Sequence, residues 1–272
     1  MRICGVGDNV VDRYPQRGLM YPGGNALNVA VHAARRGADA GYLGVTGTDG
    51  AGAHIRAVLA AEGVRTDRAR TAEGPNAYAT VHLDADGNRT FGDCDATVSV
   101  FAPDAADLTW LAGFDLLHTG DCSRLEPHLP ALAAVCPVSF DFSDRPWSYA
   151  VPLLPYVHAA VFSRPDAGDE EAAALAERVR EAGPKLAVVT RGARGALVSY
   201  EGTVHHQRVV PVTATDTLGA GDSFIAALLV ALGEGRAPAD AAAAAARYAA
   251  DVCTSPGAFG HPLALPGSPA PR

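Results

Sequence analysis

Short apolar runs, each stopped by glycine or a polar cluster, recur along the 272 residues of the chain. Residues 2–6 form the first and end at Gly7; residues 114–118, 138–142, 159–162 and 185–190 repeat the pattern. Apolar runs without alternation suit strands buried on both faces, as in a parallel sheet. Helical stretches separate them. Residues 168–182 interleave Ala and Leu with Glu and Arg at helical spacing, and residues 238–253 are so rich in alanine that propensity alone favours a helix. The pair Gly23-Gly24 opens a further helix that runs to about Arg36 and stops at Gly37. This rhythm predicts an α/β architecture: a doubly wound, mostly parallel sheet of βαβ units with helices on both faces. One region differs in texture. Residues 76–83 and 88–91 alternate polar with apolar side chains around Asp84-Ala85-Asp86-Gly87, the signal of a β-hairpin. The Pro-rich tail after His261 carries no such pattern and is expected to fray.

The stretch Asp216-Thr217-Leu218-Gly219-Ala220-Gly221-Asp222 runs straight into the apolar residues Phe224-Ile225-Ala226-Ala227-Leu228-Leu229. Thr217 is placed to cap the helix that this run predicts. Gly219, Ala220 and Gly221 let backbone N–H groups approach an anion closely, and the helix dipole adds partial positive charge there. Asp222 stands in the same turn, within reach of a phosphoryl group so held, where a carboxylate takes the proton of an attacking hydroxyl. That is kinase chemistry; helix capping alone is the alternative explanation of these residues. No Gly-Lys-Ser/Thr follows the glycines, which argues against a Walker loop, and Gly5-Val6-Gly7 lacks the third glycine of a dinucleotide fingerprint. Asp8, Asn9 and Asp12 follow the first strand, where ligands of open α/β sheets gather. They are candidates for holding sugar hydroxyls, with an Asx-rich turn as the alternative.

Residues 216–222 fill every position of Asp-Thr-x-Gly-Ala-Gly-Asp, and Gly23-Gly24-Asn25-Ala26-Leu27-Asn28-Val29-Ala30 fits Gly-Gly-x-x-x-Asn-x-Ala. In these two motifs the chain resembles the ribokinase-like (PfkB) carbohydrate kinases, and weaker matches extend the resemblance over nearly its whole length. The resemblance implies one ribokinase-like kinase domain over residues 1–272, with a small β-sheet lid from segments at about 13–22 and 72–100. It implies ATP and Mg²⁺ as cofactors, and a monovalent-cation site, for K⁺, at Asp216. Asp222 would be the base and Gly219, Ala220 and Gly221 the anion hole. Asp8, Asn9, Asp12, Gly23, Gly24, Asn25 and Asn28 would hold the sugar. Thr190, Gly192 and Gly195, with Gly257 and Ala258, would line the nucleotide; an ordinary strand-to-strand turn is the alternative for residues 190–195. Where relatives carry Asn-x-x-Glu to order water around Mg²⁺, this chain has Ser163-Arg164-Pro165-Asp166, which leaves Asp166 as the substitute acid.

A narrower resemblance rests on Gly7-Asp8-Asn9 with Asp12 and Tyr14-Pro15, on Phe91-Gly92-Asp93 and on Phe140-Asp141-Phe142-Ser143-Asp144. These segments look like the branch of the family that phosphorylates the 6-hydroxyl of fructoselysine, a lysine-linked fructosamine. Phe91 and Asp93 would then join the substrate residues from the lid. Such a substrate carries amines and a carboxylate that need opposite charges. Asp93, Asp95, Asp121, Asp141 and Asp144 are candidates for the amines, and Arg89 and Arg145 for the carboxylate, with solvated loop charges as the alternative. Rival readings are a kinase of a plain ketose, pentose or nucleoside, and a non-catalytic sugar sensor on the same scaffold. The complete Asp222 motif speaks against the sensor.

Composition narrows the partners. A net charge of −8 without a Lys/Arg cluster argues against nucleic acid and anionic membrane, and leaves a small polar substrate. A homodimer through the exposed face of the lid is the one protein partner suggested. The five cysteines are scattered without a Cys-x-x-Cys pair, so neither a disulfide framework nor a zinc site is expected, and His205-His206 lacks a third ligand. The sequence offers no signal peptide and no apolar span of about 18 residues, which predicts a cytoplasmic protein.

Overall fold

The structure, a computed structural model, describes residues 1–83 and 89–267, so the expected hairpin turn at Asp84-Ala85-Asp86-Gly87 lies outside the described residues. The chain begins with β1 (Arg2–Val6), β2 (Val10–Tyr14), β3 (Leu19–Gly23), α1 (Asn25–Arg35), β4 (Asp39–Leu43), β5 (Val45–Gly47) and α2 (Gly50–Ala61). Next come β6 (Arg70–Ala72), β7 (Tyr78–Leu83), β8 (Arg89–Asp95), α3 (Ala105–Leu111), β9 (Leu116–Gly120), α4 (Leu129–Val135) and β10 (Val138–Asp141). The remainder is α5 (Trp147–Ala150), β11 (Ala159–Ser163), α6 (Asp169–Glu181), β12 (Leu186–Thr190), β13 (Ala196–Tyr200), β14 (Thr203–Gln207), α7 (Ala220–Gly233), α8 (Pro238–Val252) and β15 (Leu263–Ala264).

The five apolar runs of the sequence become β1, β9, β10, β11 and β12 of one eight-stranded sheet, in the order β14-β13-β12-β11-β10-β9-β1-β4. From β12 to β4 every pairing is parallel, and only the β12-β13-β14 edge is antiparallel. Successive side chains point to opposite faces, as the strand period requires. Ile3, Leu116, Val161 and Val188 pack against α1, α7 and α8, whereas Cys4, Leu117, Phe162 and Val189 pack against α3, α4 and α6. β1 has β4 on one side and β9 on the other, and the chain leaves it in both directions. A crevice therefore opens beyond the carboxyl ends of β1 and β9, the position at which such sheets bind ligands.

Helix α7 is apolar on all sides and every residue from Ser223 to Ala231 is buried, because α1 covers one flank and α8 the other. The alanines Ala241, Ala242, Ala245 and Ala246 let α8 lie close. Burying each Leu, Ile or Phe of α7 contributes about 1.5–3 kcal/mol. Its amino terminus is thus carried by a helix without a free face.

A second sheet, β15-β3-β2-β7-β8, packs through Val11, Tyr14, Met20 and Tyr21 on Leu27 and Val31 of α1 and Ile55 of α2. Residues 13–22 contribute the end of β2 and most of β3 to it, and residues 72–100 contribute β7 and β8. In the tail after His261, Leu263 pairs with Met20 and Ala264 with Leu19, so this part closes the open edge of β3 instead of fraying as expected, and residues 268–272 lie outside the described residues.

Helix α1 crosses β1 so closely that a Cβ built on Gly5 would lie 2.1 Å from the Ala26 carbonyl oxygen. Gly5→Ala must displace α1, and with it Asn25 and Asn28, at a cost of about 1–3 kcal/mol. Thermal denaturation should show Tm lowered by several degrees. An unchanged Tm would mean that helix and strand are not in contact here.

Candidate active site

The crevice is built on Asp8, which follows β1 and holds the start of α1. Its Oδ2 accepts the Asn25 N–H at 2.7 Å; its Oδ1 accepts the Ala26 N–H at 3.2 Å and the Ser123 hydroxyl at 2.7 Å. A carboxylate here satisfies N–H groups that no helical carbonyl reaches and complements the helix dipole. Burial raises the Asp8 carboxyl, and these hydrogen bonds oppose the rise. Asn9 is fully buried, with its Nδ2 donating to Tyr42 OH at 2.9 Å and to the Val45 carbonyl at 2.7 Å. Asp8 and Asn9 therefore serve as the floor of the crevice. A Cβ on Gly23 would fall 1.9 Å from Asp12 Oδ2, so glycine makes room for the buried Asp12 carboxylate. Gly24, at φ 109°, passes over the Asn9 backbone and leads into α1.

From that fixed helix start, two amides reach across to α7. Asn28 Nδ2 donates to Asp222 Oδ2 at 2.6 Å, and Asn25 Nδ2 donates to Asp222 Oδ1 at 2.9 Å. Asn25 Nδ2 also donates to Asp141 Oδ2 at 3.0 Å, at the end of β10, so one amide nitrogen lies between two carboxylates. Asp141 Oδ1 accepts the Ser143 N–H at 2.8 Å. Burial and the charge of Asp222 push the Asp141 carboxyl up to about 7, with Asp121 adding to the rise and Ser143 and Asn25 opposing it. Behind Asn25 lies His118 on β9, fully buried, its Nε2 3.0 Å from Asn25 Oδ1 and its Nδ1 3.0 Å from Ser139 Oγ. Burial lowers this imidazole to about 3, so it is neutral. A carboxylate with an amide N–H on each oxygen is fixed in orientation and suited to receive a proton from a hydroxyl placed above it.

The other wall is the start of α7. Its N-cap is Gly219, at φ 77°, rather than Thr217, and no side chain caps it. The left-handed backbone and contact with Ala258, whose Cα would lie 2.7 Å from an added Cβ, both require glycine at 219. Gly221 is exposed, and a Cβ there would meet nothing within 4 Å. The Ala220 N–H donates to the Thr217 carbonyl at a long 3.3 Å, and the open space at Gly221 leaves room at the helix start for an anion such as an ATP phosphate. Asp216 is fully buried and accepts Tyr14 OH at 2.7 Å and the N–H groups of Leu218 and Gly257, each at 2.9 Å. It ties β2 of the small sheet to the turn before α7 and to the loop at 257. The Ala258 carbonyl lies 3.1 Å from His32 Nε2, and burial holds His32 neutral by lowering it to about 3.

Other sequence candidates are more peripheral. Residues 190–195 form the turn between antiparallel β12 and β13. A Cβ on Gly195 would lie 2.0 Å from the Gln207 carbonyl, so glycine there serves strand approach, whereas Gly192 borders open space. A Cβ on Gly257 would strike the Tyr21 ring. The Asp166 side chain is wholly exposed, 3.9 Å from Arg194, and Arg164 braces the loop after β10 through the carbonyls of Ser143, Ser163 and Arg145. Among the described residues, no group of three acidic, His or Cys side chains is placed to hold a metal. Phe91, 58% exposed, and Asp93 lie on β8 at the edge of the small sheet, and Asp121 pairs with Arg145 at 2.7 Å. Sequence reasoning assigned no part to His118, Ser139, Ser123 or Tyr14, and read Asp141 only as one charge among several.

Asp141 makes stability depend on pH. In the folded chain it keeps its proton up to about pH 7, but in the unfolded chain only to about pH 4. Between these values the folded state binds more protons, so its stability falls as pH rises. Asp141→Asn should therefore have a higher Tm than the parent above pH 7, and this advantage should fade as pH falls toward 4. Parallel Tm curves for the two proteins across that range would contradict the placement of this carboxyl.

Comparison with known proteins gives the family. The family of pfkB family carbohydrate kinases matches residues 5–262. The chain is similar to the fructosamine kinase FrlD of Bacillus subtilis strain 168, with 43% identity over 267 residues that cover 96% of this chain and 94% of that protein. It is also similar to the fructoselysine 6-kinase of Escherichia coli K12, with 36% identity and coverage of 82% and 86%. In fold it matches Arabidopsis thaliana ribokinase complexed with ribose and ATP, at a TM-score of 0.79 and 22% identity, covering 95% and 94% of the two chains. Among the described residues no helix is long and apolar enough to cross a membrane. The chain accordingly belongs to the PfkB family of carbohydrate kinases and is an ATP-dependent kinase that works with a divalent metal.

Proposed function

We propose that this kinase transfers the γ-phosphoryl group of ATP to the 6-hydroxyl of a fructosamine such as fructoselysine. The observation that carries the chemistry is the Asp222 carboxylate, held by Asn25 and Asn28 in the first turn of α7. The sugar oxygen attacks the γ-phosphorus in line, the bond to the β-phosphate oxygen breaks, and ADP leaves. Asp222 takes the hydroxyl proton, while the N–H groups of Gly219, Ala220 and Gly221 hold the charge on the transferring oxygens. Positioning supplies most of the rate in such chemistry, and the floor of Asp8, Asp12 and Gly24 serves it. The whole chain acts as one unit, with the small sheet as a lid that keeps water from the phosphoryl group.

Two features support a fructosamine over plain fructose. The relatives named above act on fructosamine and fructoselysine. Asp141 adds an acid beside the base, and the secondary amine of a fructosamine supplies the cation that would hold it ionised. The divalent metal is Mg²⁺ in this reading, carried mainly by the nucleotide phosphates and reached by Asp166 through water. Asp216, a buried carboxylate with no ion pair among the described residues, supports a site for K⁺. The nucleotide base would lie along residues 190–192 and 257–258. Five free cysteines suit the cytoplasm, and the exposed Phe91 edge of the lid is the face on which two copies would pair.

Asp222→Asn should bind both substrates and lower turnover by about a hundredfold or more, the usual contribution of a positioned base. Gly221→Val should leave Tm unchanged, since its side chain enters open space, and should abolish turnover because a phosphate needs that space. A folded Gly221→Val enzyme with parental turnover would place the phosphates elsewhere. In an ADP-release assay, kcat/KM for fructoselysine should exceed that for fructose by at least about a hundredfold, and Asp141→Asn should narrow the gap more than it slows fructose. Equal efficiency on the two sugars would leave the kinase and remove the fructosamine.

A further inference from the structure

We propose that His118 is a positioning residue for phosphoryl transfer, fixing from inside the sheet which end of the Asn25 carboxamide faces Asp222 and Asp141. The proposal rests on Asp222 being the base. The Asp222 carboxylate accepts only, so the group of Asn25 turned toward it must be its NH₂, which also reaches Asp141, and its Oδ1 must point the other way. Nε2 of His118 stands 3.0 Å from that oxygen and must carry the hydrogen. Nδ1 is then the acceptor, and the Ser139 hydroxyl at 3.0 Å donates to it. The order of donation is therefore Ser139 to His118 to Asn25 to the acid pair, running from β10 through β9 to the first residue of α1.

The surroundings leave the amide little other choice. A Cβ on Gly120 would lie 2.7 Å from Asn25 Oδ1, so the oxygen sits in a slot that only glycine permits. His118 and Ser139 are both fully buried. An Asn25 amide reversed in this slot would turn its oxygen toward two carboxylates and its NH₂ toward a donor. Both contacts would repel, and both carboxylates would hold protons more tightly. The charged groups around the pair are Asp222 from α7, Asp141 from β10, Asp121 after β9 with its partner Arg145, and Asp8 after β1, spent on the start of α1. His118 itself is neutral across the working range, so it acts through its hydrogen bond and not through charge.

The test is the pH dependence of kcat in the parent and in His118→Leu, His118→Gln and Ser139→Ala, each checked for folding by Tm. His118→Leu should lower kcat by about tenfold or more while KM for ATP stays within about threefold, because only the base is disturbed. Its acidic limb should move up by about one pH unit, as Asp222 loses a fixed donor. His118→Gln, whose amide N–H reaches the place of Nε2–H, should restore both kcat and the limb. Ser139→Ala should shift both in the same direction by less, and it decides the matter if His118→Leu does not fold. A folded His118→Leu, or failing that Ser139→Ala, with the parental limb would overturn the proposal, as would a His118→Gln no better than His118→Leu. Full turnover in Asp222→Asn would instead overturn the reading of the base on which it rests.

Discussion

Two carboxylates share one amide nitrogen at the centre of this protein, and the rest of the site is arranged to hold that amide still. Asp222 and Asp141 each lie within hydrogen-bond distance of Asn25 Nδ2. Without the amide, two acids in a partly desolvated crevice would compete for a proton, and the proposed base would be occupied when it is needed. Asn28 secures the second oxygen of Asp222, whose charge joins burial in raising the Asp141 carboxyl. The amides are as rigid as the helix start that bears them. Asp8 and Ser123 fix that start, and Gly5 allows α1 to press against β1.

The partner wall obeys the same logic with fewer charges. An apolar helix buried between α1 and α8 cannot shift its amino terminus without opening a core, so the N–H groups above Gly221 stay where a phosphate would need them. Asp216 extends this fixity to the small sheet through Tyr14 and to the loop at 257 through the Gly257 N–H. The turn before α7, the small sheet and the loop at 257 are thus joined at Asp216 by buried hydrogen bonds from neutral donors.

The sequence disclosed what is contiguous. Parallel strands announced themselves as apolar runs, α7 by its unbroken apolar stretch, and Asp222 and Asn28 by motifs within a single turn. What it withheld is made by distant segments. The chain from Ser139 to His118 to Asn25 crosses three elements whose adjacency follows from strand order, and nothing near residue 118 marks that histidine as different from a core residue. Asn9 shows the converse. Its place at the carboxyl end of a strand suggested a ligand for sugar, and the structure engages its Nδ2 with Tyr42 and Val45. Strand β15 needed the open edge of β3, which no local pattern in a Pro-rich tail reveals.

The central claim is that a hydroxyl of the acceptor sits on Asp222 while the γ-phosphate occupies the space above Gly221. A crystal grown with fructoselysine and a non-hydrolysable ATP analogue measures this directly. The account predicts electron density for the sugar 6-hydroxyl within hydrogen-bond distance of Asp222, with the phosphates across the amino terminus of α7. Nucleotide density beside Gly5 and Gly7, or a sugar whose hydroxyls all turn away from Asp222, would contradict it.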